Sequence, residues 1–153
     1  MTTDWIIATT NAGKLAEYRE LLSDAPLTLR ALDPESFDAP DETGLSFVEN
    51  ALIKARHASA LSGSPAIADD SGLCVAALDG APGVRSARYA GPEASDSDNV
   101  EKLLRELEGV DQENRRAEFH CVIVALTAPE DPAPIIATGS WPGWISASPR
   151  GRH

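Results

Sequence analysis

Ala66-Ile67-Ala68-Asp69-Asp70-Ser71-Gly72-Leu73-Cys74-Val75 is the stretch on which the reading of this chain turns. Two short apolar runs flank an acidic pair, a serine and a glycine. Apolar runs of this length, bounded by turn formers, read as buried strands. The spacing predicts that Asp69 and Asp70 sit where a strand leaves the core, or just beyond it. Burying adjacent carboxylates is costly, because each charge loses its hydration. A divalent cation, basic side chains, backbone N–H groups or protonation of one acid would offset that cost. Oxygen-only ligands favour Mg²⁺, Mn²⁺ or Ca²⁺ over softer metals. Taken alone, the pair reads more simply as a polar turn between strands, where Asp, Ser and Gly are all common.

Upstream, Trp5-Ile6-Ile7-Ala8 reads as a buried strand that runs into Thr9-Thr10-Asn11-Ala12-Gly13-Lys14. Leu15, Tyr18 and Leu22 then recur at helical spacing and predict a helix through about Leu22. A strand, a polar turn and a helix N-terminus form a natural anion site, since the first-turn N–H groups are unpaired and the helix dipole favours negative charge. Lys14 adds a formal charge. The stretch is not a Walker A loop, because Leu15 follows Lys14 where that motif has Ser or Thr. An ordinary capped helix with one surface lysine is the plainer alternative. Leu27 to Leu32 reads as a second strand, and Asp33 to Gly44, with two prolines and five carboxylates, as an acidic loop.

Ser46-Phe47-Val48-Glu49 has the spacing of a capping box, so a helix is expected to begin at Phe47. Val48, Ala51, Leu52, Ala55 and Ala58 give its buried face, and Gly63 and Pro65 close it. Lys54 falls beside that face, and Glu42 lies just ahead of the helix. Downstream of the acidic pair, Asp79-Gly80 and Pro82-Gly83 are turn signals. Arg85 and Arg88 lie three apart, positioned to pair with the acids or face a phosphate. Asp98 and Glu101 stand at capping-box spacing before a helix through Leu107. Ala117 to Thr127 is the longest strand-like run, with its far half expected to be buried on both faces. Ile135 to Gly139 and Gly143 to Ile145 read as strands around a break at Trp141-Pro142.

At 153 residues, 42% hydrophobic and 24% charged, the chain is of a size and composition for one domain with a real core. It holds no apolar run near the roughly 20 residues of a membrane span and no signal peptide. Cys74 and Cys121 fall in apolar runs, as reduced core thiols of a cytoplasmic protein would. The net charge of −11 argues against a broad nucleic-acid-binding surface. A small anionic ligand would need a local basic pocket, a cation, or both. The spacing of His57, His120 and His153 is unlike that of zinc ligands.

Together these pieces resemble the inosine triphosphate pyrophosphatase family, in its bacterial form. The matching stretches are Ala8 to Lys14, Glu42-Thr43-Gly44, Phe47 to Ala51, Lys54-Ala55, Ile67 to Leu73, Gly80 to Val84, Ser86 to Tyr89, Phe119-His120-Cys121 and Gly139 to Gly143. They occur in the family's order and span nearly the whole chain. The resemblance implies an α/β fold with a twisted mixed sheet flanked by helices and two lobes around a central cleft. It implies a cytoplasmic homodimer that sanitises the nucleotide pool, hydrolysing ITP, dITP and XTP to the monophosphate and pyrophosphate with Mg²⁺. Thr9, Thr10, Asn11, Ala12, Gly13 and Lys14 would hold the triphosphate, with Lys54 near the phosphates and Ser71 touching substrate. Asp70 would be the general base, and Glu42 and Asp70 the metal positions, with Asp69 close to them.

The resemblance departs at the C-terminus. Members of the family continue past the Pro-Arg-Gly region into Gly-Phe-Gly-Tyr-Asp-Pro and later reach Ser-His-Arg, segments that recognise the purine base. Residues 1–153 are therefore expected to be one pyrophosphatase-like domain lacking that segment. The alternative reading is an impaired homologue that binds Mg²⁺–nucleotide without efficient turnover.

Overall fold

The computed structural model describes residues 3–9, 12–32 and 38–150. The chain runs β1 (Thr3–Ile7), α1 (Ala12–Leu21), β2 (Leu27–Ala31), α2 (Phe47–Ser62), β3 (Ala66–Val75), α3 (Asp96–Glu106), β4 (Arg116–Leu126) and β5 (Ile135–Trp144). Short 3-10 turns fall at Ala76–Leu78, Gly83–Arg88 and Gln112–Asn114. The strands form one mixed sheet in the order β2-β1-β3-β4-β5, so the α/β expectation holds. β1 runs parallel to both neighbours, pairing Thr3 with Leu27 through Ile7 with Ala31, and Ile6 and Ile7 with Ala66 and Ile67. Parallel pairing demands crossover connections, which α1 and α2 supply.

Two compact units divide the chain, Met1–Asp70 with Val122–Ala137, and Ser71–Cys121 with Thr138–His153. The first is a sheet with a helix packed on each face. Ala51, Ala55 and Ala58 of α2 are wholly buried against Ile6, Ala66, Ala68, Val122, Val124 and Leu126. On the other face, Tyr18 of α1 packs with Ile7, Leu29 and Ile67, and with the partly buried Leu15, Leu22, Ile123 and Ala125. The two-residue period of a strand thus sends Ala66 and Ala68 toward α2 and Ile67 toward α1. The alanines let α2 lie close to the sheet. In the second unit, Leu103 and Leu107 bury against Val75, flanked by Leu73, Leu78, Ala117 and Ile145.

The ends of α2 follow the sequence signals. The Ser46 hydroxyl accepts the Glu49 N–H at 3.4 Å and donates to the Glu49 carboxylate at 2.6 Å. Gly63, at φ 65°, takes the left-handed C-terminal position and returns its N–H to the Ser59 carbonyl. α3 begins earlier than expected. Its capping box is Ser95 with Asp98, one turn ahead of the Asp98–Glu101 pairing. Serine is a strong N-cap, and Asp98 then stands at the third helical position, where its side chain reaches back to the cap N–H.

Two further expectations change. β3 is one unbroken strand, so the acids stand inside it rather than at its exit or in a turn. β5 is likewise continuous through Trp141-Pro142. It is the last strand in the sheet order, and an edge strand tolerates a proline because one side of its backbone has no ladder to complete. Of the expected acidic loop, Asp33 and Glu35 lie outside the described residues, whereas 38–44 carry no regular secondary structure.

Candidate active site

The acidic pair stays within β3 because each carboxylate finds its own partners. Alternation sends the two side chains to opposite faces of the strand. Asp69 points to the α1 face, where Lys14 Nζ lies 2.7 Å from Oδ2 and the Tyr18 hydroxyl donates to Oδ1 at 3.2 Å. Lys14 and Tyr18 are four residues apart on α1, so they share a helix face. Lys14 sits in the first turn, which carries no acidic residue of its own. A lysine and a helix N-terminus therefore add positive potential at one place. The Lys14 side chain keeps 43% exposure while that of Asp69 has only 10%.

Asp70 points to the α2 face and is 8% exposed. Asn50 Nδ2 donates to its Oδ2 at 3.2 Å, and Lys54 Nζ lies 3.2 Å from its Oδ1. The same ammonium is 3.0 Å from Glu42 Oε1, so one cation joins two carboxylates from separate segments. Burial pushes the Asp70 carboxyl above the usual range, opposed by the Lys54 charge and the Asn50 hydrogen bond, while Glu42 adds to the rise. For Lys54, burial works against the ammonium, but the hydrogen bond and charge of Glu42 and the charge of Asp70 outweigh it and raise its pKa.

The structure thus brings Glu42, Lys54 and Asp70 into one cluster and Lys14 and Asp69 into another. Ala12 and Gly13 open α1 and are exposed, and Thr9 follows β1 half-buried. Thr10 and Asn11 lie outside the described residues. Ser71 follows Asp70 in β3, half-buried, and Arg85 and Arg88 lie on the Gly83–Arg88 turn of the second unit. Cys74 and Cys121 are not joined in a disulfide.

Two residues enter that the sequence reading did not assign. Tyr18 counted only as part of an apolar stripe, yet its hydroxyl holds Asp69. Asn50 is wholly buried against Asp70. Its signal was a poor helix former set four residues before Lys54 in an alanine-rich helix.

Among the described residues, no group of three or more His, Cys, Asp or Glu side chains could hold a metal ion. Glu42 and Asp70 nevertheless fit a hard divalent cation, since both oxygens already share one positive centre. Mg²⁺ is commonly held by one or two carboxylates, with substrate phosphates and water completing its shell. Asp69 is engaged instead by Lys14 and Tyr18.

The model of the Ham1 family matches residues 5–153. The chain belongs to the Ham1 family. It is 56% identical over 152 residues to the dITP/XTP pyrophosphatase of Idiomarina loihiensis, covering 97% of this chain and 75% of that protein. The fold is similar to the solved structure of a HAM1 protein from Coxiella burnetii, with a TM-score of 0.93 and 48% identity over 100% of this chain and 77% of that one. It is also similar to the nucleoside-triphosphatase, or dITP/XTP pyrophosphatase, of Mycobacterium abscessus, with a TM-score of 0.82, 39% identity, and coverage of 97% and 77%. The family resemblance carried by the motifs is therefore sound.

Proposed function

We propose that this Ham1 chain is a Mg²⁺-dependent pyrophosphatase of non-canonical purine nucleoside triphosphates, converting dITP, XTP or ITP and water to the monophosphate and pyrophosphate. The observation that carries the reading is the division of labour along β3. One of two adjacent acids anchors a lysine at a helix N-terminus, and the next shares a cation with a second carboxylate. High-identity relatives named dITP/XTP pyrophosphatases support the substrate class.

In this reading the segment Thr9 to Lys14 takes the triphosphate, using the positive end of the α1 dipole and the Lys14 ammonium. Both stabilise charge on the phosphoryl oxygens as the bond between the α and β phosphates breaks. Asp70 accepts the proton of the attacking water, and the burial that raises its pKa makes it a stronger base. Ser71 contacts substrate beside it. Glu42 and Asp70 would hold Mg²⁺, which when bound polarises the phosphoryl group and lowers the pKa of bound water. Lys54 keeps the two acids together and adds positive charge near the phosphates. A homodimer follows from the family reading alone, and a cytoplasmic location from that reading and from the reduced state expected of Cys74 and Cys121.

Pyrophosphate release from dITP, ITP and ATP, with and without Mg²⁺, tests the proposal in the parent chain and in Asp70→Asn. Metal-dependent release that favours dITP and ITP over ATP and is lost in Asp70→Asn is the expected result. Nucleotide binding without release would replace it with the impaired homologue.

A further inference from the structure

We propose that Asn50 is a positioning residue that fixes the Glu42-bearing segment against the Asp70 carboxylate; the proposal rests on the roles given above to those two acids. Its side chain joins the backbone of that segment, two residues after Glu42, to Asp70. Asn50 Oδ1 accepts the Gly44 N–H at 2.8 Å, and Nδ2 donates to Asp70 Oδ2 at 3.2 Å. A carboxamide has one accepting end and one donating end, and these partners are of opposite polarity, so they fix its orientation. The side chain is 0% exposed, where an amide is stable only with its bonds made.

Glu42 needs such a tie. Residues 38–44 belong to neither helix nor strand, so no ladder of backbone bonds holds the carboxylate in place. His57 of α2 meets the Asp38 carbonyl at 2.7 Å, and two α2 side chains four residues apart fasten the part around Glu42: Lys54 grips Glu42 itself, and Asn50 grips the backbone two residues later. Both also reach Asp70. Gly44 makes the approach possible. A Cβ there would lie 2.6 Å from Asn50 Oδ1 and 2.6 Å from Glu49 Cβ, closer than real contacts allow. Asn50 is also a poorer helix former than the alanines around it, and both bonds lead out of the helix.

The test uses Asn50→Ala, with Asn50→Asp as a second variant that preserves volume and the acceptor for Gly44. Three quantities are read at a temperature where each protein is folded: Mn²⁺ affinity by calorimetry without nucleotide, kcat for dITP, and KM. Partners that orient metal ligands typically cost about 10–100-fold when removed, so Asn50→Ala should lose about tenfold or more in Mn²⁺ affinity and in kcat. KM should move by about threefold or less, because the triphosphate grip is elsewhere. Should Asn50→Ala fail to fold, Asn50→Asp should fold and still lose kcat about tenfold, because it turns an oxygen toward Asp70 where a donor stood. A folded variant with Mn²⁺ affinity and kcat within about twofold of the parent overturns the proposal, as does a loss confined to stability. A parent that binds Mn²⁺ but releases no pyrophosphate defeats the functional reading alone. Binding that survives Asp70→Asn defeats the positioning proposal.

Discussion

Replacing Lys54 with methionine keeps most of the aliphatic stem but removes the charge shared by Glu42 and Asp70. The ammonium lies 3.0 Å from Glu42 and 3.2 Å from Asp70, and the three side chains are 19%, 25% and 10% exposed. Breaking a fully buried pair costs about 3–5 kcal/mol, whereas exposed pairs contribute about 0.2–1 kcal/mol. A cluster with this intermediate exposure should lose about 2 kcal/mol, because two carboxylates are left facing each other. For a chain of this length that loss lowers Tm by about 4–8 °C. The raised pKa of Lys54 sets the pH dependence. A cation held above its unfolded value of 10.5 contributes fully below that value and loses the contribution as pH rises through the folded one. The gap between parent and Lys54→Met should therefore be flat through neutral pH and close at alkaline pH. It should also close in acid, where Glu42 and Asp70 become neutral. Mg²⁺ should raise the Tm of Lys54→Met more than that of the parent, because the cation meets carboxylates no longer neutralised by the lysine. Thermal melts in EDTA and in excess Mg²⁺, across pH, check this. A gap under about 0.5 kcal/mol in EDTA, or equal Mg²⁺ stabilisation of both proteins, would refute the reasoning.

Asp69→Asn should raise KM for dITP about fivefold, the equivalent of about 1 kcal/mol, by releasing Lys14 from its anchor, with a smaller change in kcat. Steady-state kinetics on Asp69→Asn, Lys14→Met and the double variant separate the roles. Losses that fail to add place Asp69 behind Lys14, whereas a collapse of kcat like that of Asp70→Asn places it with the metal. Ala58→Leu should destabilise the chain by about 1–3 kcal/mol in urea unfolding, because the fully buried Ala58 leaves no room between α2 and the sheet. An unchanged midpoint would contradict that close packing.

The sequence carried most of the fold because its local signals agreed with its packing. Ser46 and Gly63 bounded α2, its alanines marked the face laid on the sheet, and Leu15, Tyr18 and Leu22 marked the inner stripe of α1. The misreadings within β3 and β5 share one physical cause. A polar pair in β3 and a proline in β5 both look like breaks when only the chain itself is read. Partners distant in sequence decide otherwise: Lys14 and Lys54 for the acids, and an edge position for Pro142. The roles of Glu42, Lys54 and Asp70 came from the resemblance, but their joining through Lys54 is a tertiary fact. Asn50 escaped because a buried amide in a helix announces no chemistry until its two partners are known.

Adjacency is the reason the acidic pair serves two ends. In a helix or turn, neighbouring carboxylates would compete for the same cation and repel each other. In a strand, successive side chains leave on opposite faces, so Asp69 and Asp70 are adjacent in sequence yet answer to different helices. One is neutralised by Lys14 and the other by Lys54. Inserting a single residue ahead of Ala68 within β3 would exchange the faces of Ala68 and of both acids. Asp69 would then stand on the α2 side in the place of Asp70, and Lys14 and Tyr18 would lose the carboxylate they hold. The alanine that now packs under α2 would also turn toward α1. The same alternation that buries Ala68 against α2 thus presents Asp70 to Lys54, so strand register and the candidate site are fixed by one set of contacts.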